Sequence, residues 1–194
     1  MRSREQQAPQ HQKGEVMNIL FRFCRLFTAS LLVSGLLLVI ASYVSLAATN
    51  QVMLINVQTG KCLTIAGGVS TENNVTALQF TCDSHPSRRW RLVDVGGVFQ
   101  IKNVQTGKCL TIAGGVSTEN NVTALQFNCD SHPSRRWSII NVGGVFRIKN
   151  VQTGKCLTIA GGVSTENNVE ALQFNCDGHP SRTWNIRSAT ILDE

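Results

Sequence analysis

The chain has 194 residues and a formal net charge of +6 at pH 7, and 42% of its residues are hydrophobic. Five of the 18 basic residues and two of the 12 acidic ones precede Ala48, so residues 49–194 carry a net charge of only +3. This mild excess, without any run of Lys or Arg in that part, argues against a nucleic-acid-binding function.

The first element is an uncharged run over residues 26–48 that follows two arginines. Met17 offers a second start with a short basic region, and Ser45 and Ala47 fit the small-residue rule for cleavage after Ala47. The pattern favours a secretory signal peptide. The 23-residue run is also long enough to span a bilayer, so an uncleaved membrane anchor stays open. Both alternatives place residues 49–194 outside the cytoplasm, secreted or held at the membrane only through the N-terminal segment.

The cysteines predict disulfides in this exported part. One of the seven, Cys24, lies in the N-terminal segment, and an even set of six in an exported domain indicates a disulfide framework. The chain repeats three times, and this favours the one pairing that treats every copy alike, within each copy. The three predicted pairs are Cys62 with Cys82, Cys109 with Cys129 and Cys156 with Cys176.

Three near-identical copies follow one another, with equivalent cysteines and tryptophans 47 residues apart. We call them copy one (about residues 51–97), copy two (98–144) and copy three (145–194). From Val57 to Trp90, copy one differs from copy two only at Thr81. An internal repeat of this period is typical of folds in which each unit completes its neighbour's core.

Each copy reads as four short strands separated by Gly, Asn and Pro, which predicts an all-β unit. In copy two the predicted strands cover residues 98–104, 109–113, 124–129 and 135–142. Propellers usually need four or more blades, so three such units must close differently. Twelve strands in a closed pseudo-threefold barrel, a β-trefoil over residues 49–194, bury one face of every copy and leave few open edges.

At this point the motifs resemble a known family. The order G-K-C-L, a Gly/Asn turn, L-Q-F-x-C and a closing x-x-W is similar to that of the ricin-B-type lectins, over about residues 51–188. The resemblance implies a β-trefoil that binds carbohydrate, with the recurring phenylalanines as stacking platforms. It also shows departures, because Thr, Ser and Arg stand where the family has its sugar-binding Asp, its Asn and its Gln.

The candidate carbohydrate-binding residues are six positions repeated in every copy: a threonine, an asparagine, a phenylalanine, an aspartate, a serine and an arginine. In copy one they are Thr64, Asn74, Phe80, Asp83, Ser87 and Arg88. In copy two they are Thr111, Asn121, Phe127, Asp130, Ser134 and Arg135. In copy three they are Thr158, Asn168, Phe174, Asp177, Ser181 and Arg182.

Structural interpretations compete with the functional ones. The tryptophans are typical core residues, alternation places Phe80 and Leu78 on one face, and Arg88 is expected to pair with Asp83 or Glu72. A Cys–His nucleophile is excluded if Cys82 is disulfide-bonded, and His85 and its counterparts are more typical of turns than of a shared metal site. Two glycosylation sequons, at residues 74–76 and 121–123, complete the motifs.

Two hypotheses of function follow. The first is an exported lectin-like module with up to three equivalent weak sites that act by avidity on cell-surface or extracellular glycans. The alternative is a β-trefoil interaction or structural protein, inhibitor-like or a spacer, that has lost sugar binding. Three near-identical copies offer no unique nucleophile and base, so we expect no enzyme, no cofactor and no metal, and we expect a monomer.

Overall fold

The computed structural model describes residues 50–189, and the predicted signal or anchor segment lies outside them. Twelve strands and three one-turn 3-10 helices alternate in the same order in every copy. Copy one holds β1 (Gln51–Asn56), β2 (Cys62–Ile65), β3 (Ala77–Phe80), η1 (Pro86–Arg88) and β4 (Trp90–Asp94). Copy two holds β5 (Phe99–Asn103), β6 (Cys109–Ile112), β7 (Ala124–Phe127), η2 (Pro133–Arg135) and β8 (Trp137–Asn141). Copy three holds β9 (Phe146–Asn150), β10 (Cys156–Ile159), β11 (Ala171–Phe174), η3 (Pro180–Arg182) and β12 (Trp184–Ser188).

Six strands, the first and last of each copy, form a closed barrel. Antiparallel pairing runs from β1 to β4, β5, β8, β9 and β12, and β12 returns to β1. The returning pair is extensive, with Val52 opposite Ser188 and Asn56 opposite Trp184. Closure of the barrel pairs the backbone N–H and C=O groups that the edge strands of an open sheet would expose. The predicted β-trefoil is therefore confirmed.

The other six strands form three hairpins, β2–β3, β6–β7 and β10–β11, and their second strands contact one another. Each hairpin bonds to the loop of the preceding copy in a cycle. The Gln79 N–H donates to Val169 O at 2.9 Å, and the same bond joins Gln126 to Val75 and Gln173 to Val122. Neighbouring copies are thereby held in one cap.

The core lies on the threefold axis and is built from equivalent residues. Trp90, Trp137 and Trp184 are fully buried, as the sequence predicts, and they pack with the leucines, isoleucines and alanines of the hairpins. Each indole N–H donates to a backbone carbonyl of the same copy, such as Trp90 Nε1 to Leu63 O at 3.0 Å. The tryptophans therefore bury a large apolar area without an unsatisfied donor.

One disulfide in each copy joins the hairpin to the segment that follows it. The three bonds are Cys62–Cys82, Cys109–Cys129 and Cys156–Cys176, which confirms the pairing within each copy. Among residues 50–189, no helix has the length and apolar character that crossing a bilayer requires.

Candidate functional site

The stretch CDSHPSRRW of copy one, which recurs unchanged in copy two, folds into a turn and the helix η1. The Asp83 carboxylate accepts from the His85 N–H at 2.9 Å, and this closes the turn. His85 then caps η1, because its Nδ1 accepts from the Ser87 N–H at 3.2 Å, while Pro86 occupies the first helical position, where no donor is needed. The sequence predicts this segment as a turn, and the structure shows that the turn ends in a capped 3-10 helix.

The Ser87 hydroxyl is the centre of a buried polar network. Thr64 Oγ1 lies 3.0 Å from Ser87 Oγ, Arg88 Nη1 donates to the same oxygen at 2.8 Å, and His85 Nδ1 lies 2.9 Å from it. His85 Nδ1 therefore faces both the backbone N–H and the hydroxyl group of Ser87. Thr64 and Ser87 are both buried, so the two hydroxyls stabilise each other at the positions where the resemblance implies an Asp and an Asn.

Arg88 connects this network to the recurring phenylalanine. Its Nε lies 3.3 Å from Asp83 Oδ1. Of the two partners expected from the sequence, Asp83 and Glu72, the ion pair therefore forms with Asp83. The guanidinium carbon lies 4.4 Å from the centre of the Phe80 ring, within the range of a cation–π contact. One face of Phe80 is therefore already covered by Arg88, and the ring is half-buried between the core and the surface.

Thr64, Phe80, His85 and Arg88 line a cleft of about 230 Å³, which we call cleft one. It is smaller than the roughly 300–1,000 Å³ of pockets for drug-sized ligands, and it suits a single small polar ring. Gly68 allows the loop to approach, since a Cβ there would lie 3.3 Å from Ser87 Oγ at a φ of +75°. The residues that line cleft one are Thr64, Ile65, Gly67, Gly68, Leu78, Phe80, His85, Arg88 and Asn168.

Asn168 shows that the cleft is composite, because this residue belongs to copy three. Its backbone N–H donates to Gln79 O of β3 at 2.9 Å, which holds the asparagine at the rim. From the sequence, each asparagine is expected to lie beside the phenylalanine of its own copy, which would place Asn74 beside Phe80. In the structure the Asn74 N–H instead donates to Gln126 O of copy two. The reason is that the hairpin of each copy hydrogen-bonds to the loop of the preceding copy.

The same arrangement recurs in the other copies. The network distances of 3.0, 2.9 and 2.8 Å are repeated around Ser134 and Ser181. The stacked arginines lie 4.4 Å from Phe127 and Phe174. We call the equivalent positions cleft two (beside Thr111, Phe127, His132 and Arg135) and cleft three (beside Thr158, Phe174, His179 and Arg182).

The structure thus brings together five of the six predicted residue types within each copy, and it adds residues that sequence reasoning missed. His85 and Gly68 line cleft one, and Gln79 is fully buried on the strand behind it. Gln79 Nε2 donates to Ser164 O at 2.8 Å and to Glu166 O at 2.7 Å, which fixes the loop that carries Asn168. Pro86 at the first helical position is a start signal that could have been recognised from the sequence, whereas histidine is not a usual capping residue.

A second concavity of about 390 Å³ lies between β1 and β12, beside Met53, Ile55 and Arg187. Copies two and three have Lys102 and Lys149 at the position of Ile55, and their side chains extend toward the nearby glycines. No candidate binding residue lines this concavity. Within the described part of the chain, no three His, Cys, Asp or Glu side chains are placed to hold a metal ion.

Solved structures share this architecture. A designed threefold-symmetric protein, ThreeFoil, has a TM-score of 0.68 at 22% identity over 71% of this chain and 98% of its own. The Rhizoctonia solani agglutinin has a TM-score of 0.64 at 18% identity over 72% of this chain and 94% of its own. The exo-beta-1,3-galactanase 1,3Gal43A from Clostridium thermocellum has a TM-score of 0.68 at 27% identity over 72% of this chain, and the match covers only 30% of that enzyme.

A comparison with curated protein sequences gave no match. The family model of the ricin-type beta-trefoil lectin domain-like proteins matches residues 43–128, 95–169 and 133–191, which together span most of the chain. Together these overlapping matches cover the disulfides and the buried tryptophans of all three copies. The chain therefore belongs to the ricin-type beta-trefoil lectin domain-like family.

Proposed function

We propose that the protein is an exported carbohydrate-binding module with up to three equivalent weak sites that act together by avidity. The observation that carries this proposal is the threefold recurrence of one composite cleft, with the same hydroxyl, imidazole, guanidinium and aromatic groups. Family membership supports it, and so does the agglutinin among the structural neighbours. Binding rather than catalysis fits a site that is present in three nearly identical copies.

Cleft one offers the chemistry that sugar recognition requires. Phe80 and Leu78 provide an apolar wall, while the His85 ring, the Asn168 amide and the Arg88 guanidinium provide polar groups for sugar hydroxyls. A cleft of this size contacts one ring and few hydroxyls, so each site is weak. Three sites on one rigid body gain by multivalent attachment to a dense glycan surface.

A glycan array probed with residues 49–194, produced without glycosylation, tests the proposal. We expect binding at high glycan density that falls steeply at low density. The matched variant is the triple substitution Asn74→Gly, Asn121→Gly and Asn168→Gly, because all three asparagines have a positive φ that glycine adopts without strain. It should lose array binding while the unfolding transition stays unchanged, whereas Ile140→Ala on the exposed face of β8 should bind normally. Absence of binding to every glycan at high protein density contradicts the proposal.

A β-trefoil interaction or structural protein without sugar binding is the second candidate, and the stacking of Arg88 on Phe80 favours it. The Ser87 hydroxyl already bonds to Thr64 and Arg88, and Arg88 also forms an ion pair with Asp83, so these groups have partners within the chain. This candidate predicts that the unaltered chain binds no glycan and that Phe80→Ala lowers its stability. A Phe80→Ala variant that folds normally and has lost glycan binding would exclude it.

Export is part of the proposal, supported by the uncharged run of residues 26–48 and by the three disulfides. N-terminal sequencing of the protein recovered outside the cell distinguishes the two alternatives. A new N-terminus near Ala48 indicates a cleaved signal peptide and a secreted protein. An intact leader in the membrane fraction indicates an anchor.

A further inference from the structure

Copies one and two carry a glycosylation sequon that copy three has lost. Asn74-Val75-Thr76 and Asn121-Val122-Thr123 match the acceptor pattern, whereas Glu170 stands at the threonine position of copy three. The three asparagines are otherwise equivalent in position. A single difference between the copies, Glu170 in place of threonine, therefore removes the sequon from Asn168 alone.

All three asparagines are accessible at the tips of turns. Their φ values are 66°, 64° and 66°, and each residue is exposed. Within residues 50–189 their side-chain amides make no hydrogen bond, while their backbone N–H groups bond to the neighbouring copy. An attached glycan at these positions would displace no side-chain contact of the trefoil.

The hairpin cycle determines which cleft each asparagine borders. Asn168 lines cleft one, and its N–H donates to Gln79 O. The equivalent bonds run from Asn74 to Gln126 O and from Asn121 to Gln173 O, each at 2.9 Å. Asn74 therefore borders cleft two, and Asn121 borders cleft three.

We propose that Asn74 and Asn121 are N-glycosylation sites, and that their glycans cover clefts two and three and leave cleft one open. In the modification, the amide nitrogen bonds to the anomeric carbon of a lipid-diphosphate-linked oligosaccharide. The bond from that carbon to the diphosphate breaks, the diphosphate leaves with the electron pair, and an amide proton is released. The effect of these glycans on binding rests on the proposed function: glycosylation would reduce the open sites from three to one, so avidity from three sites would belong to the unglycosylated chain.

The attachment is tested with the full chain placed behind the secretion signal of a eukaryotic host. Trypsin releases residues 62–88, 109–135 and 156–182 as three peptides that differ in mass because of Thr81, Glu170 and Gly178. We expect a glycan on the first two peptides and none on the third. Secreted protein without a glycan at Asn74 and Asn121 overturns the proposal.

Coverage of the clefts is tested by carbethoxylation of histidine on the folded glycoprotein, followed by glycan release and mapping of the same peptides. His85, His132 and His179 lie on separate peptides, one beside each cleft. We expect His132 and His179 to react several-fold more slowly than in the enzymatically deglycosylated protein, and His85 to react equally in both. Unchanged reactivity of His132 and His179 in a fully glycosylated chain would contradict the proposal that the glycans cover clefts two and three.

Copy three supplies the matched control substitutions, because its own backbone accepts glutamate at the threonine position. Thr76→Glu should remove the Asn74 glycan and restore the reactivity of His132 alone. Glu170→Thr should add a glycan at Asn168 and protect His85. These readouts need no external sugar, so a failure of the proposed function appears only on the glycan array of the unglycosylated chain and is distinguishable from a failure here.

Discussion

At the scale of the residue, hydroxyl groups take the positions where the family resemblance implies an acid and an amide. Thr64 and Ser87 bond to each other at 3.0 Å and are both buried. A bond between two neutral hydroxyl groups involves no charge that must be desolvated, so this pair is compatible with a buried position. The arginine that replaces the family's glutamine bonds to Ser87 and stacks on Phe80.

Ser87→Ala tests whether this hydroxyl organises the cleft. The substitution leaves Thr64, His85 and Arg88 without their common partner in a buried position, so we expect a loss of about 2 kcal/mol in unfolding free energy. Urea denaturation followed by tryptophan fluorescence measures it. Ser84→Ala, at an exposed turn position of the same stretch, should change stability by less than about 0.5 kcal/mol. Equal effects of the two substitutions would contradict the role of Ser87.

At the scale of the element, buried glutamines hold the three hairpins to the loops of the preceding copies. Gln79, Gln126 and Gln173 are fully buried, and each donates to two backbone carbonyls of another copy. The sequence motif L-Q-F shows a polar residue inside a strand, but it does not show which loop the amide reaches. That partner is more than 50 residues away along the chain, so local reasoning does not identify it.

Gln79→Glu tests this connection. The substitution places a carboxylate against Ser164 O and Glu166 O, so we expect a loss of about 3 kcal/mol or more at neutral pH, as for a buried charge without a partner. The loss should become smaller as the pH falls, because a protonated carboxyl group can donate to one of the carbonyls. Thermal unfolding at several pH values measures both effects. Gln100→Glu, on a partly exposed strand residue, should cost much less at every pH, and a similar cost would refute the role of Gln79.

At the scale of the whole molecule, β1 and β12 close the barrel and make the two ends of the trefoil equivalent to its middle. Five residue pairs join these strands, the same number that joins β4 to β5 and β8 to β9. A terminal strand of an open sheet would tolerate damage better than a central one, because it has one neighbour. In a closed barrel every strand has two.

Ile139→Ala and Ile186→Ala compare equivalent positions on β8 and on the terminal strand β12. Both isoleucines are half-buried, so we expect each substitution to cost about 2 kcal/mol, with the two values close to each other. Urea unfolding of the two variants measures the difference. A much smaller cost for Ile186→Ala would show that β12 behaves as a free edge strand.

Removal of single disulfides provides a further test at this scale. Each bond closes a segment of 20 residues in an equivalent setting, so the paired substitutions Cys62→Ala/Cys82→Ala and Cys109→Ala/Cys129→Ala should each cost about 3 kcal/mol. Chemical denaturation of the two variants measures both losses. Clearly unequal losses would show that the copies are not energetically equivalent.

The sequence by itself determined the threefold repeat, the strands, the within-copy disulfides and the buried tryptophans, because each of these depends on local spacing or on the identity of the copies. It also placed five of the six candidate residue types together, since they lie within 25 residues of one another in each copy. Only the tertiary structure decided that Asn168 completes the cleft of copy one, and that Asn74 and Asn121 border the clefts of the copies that follow them. The physical reason is that the hairpins hydrogen-bond in a cycle between copies, and near-identical repeats carry no sequence signal that tells a contact within a copy from a contact between copies.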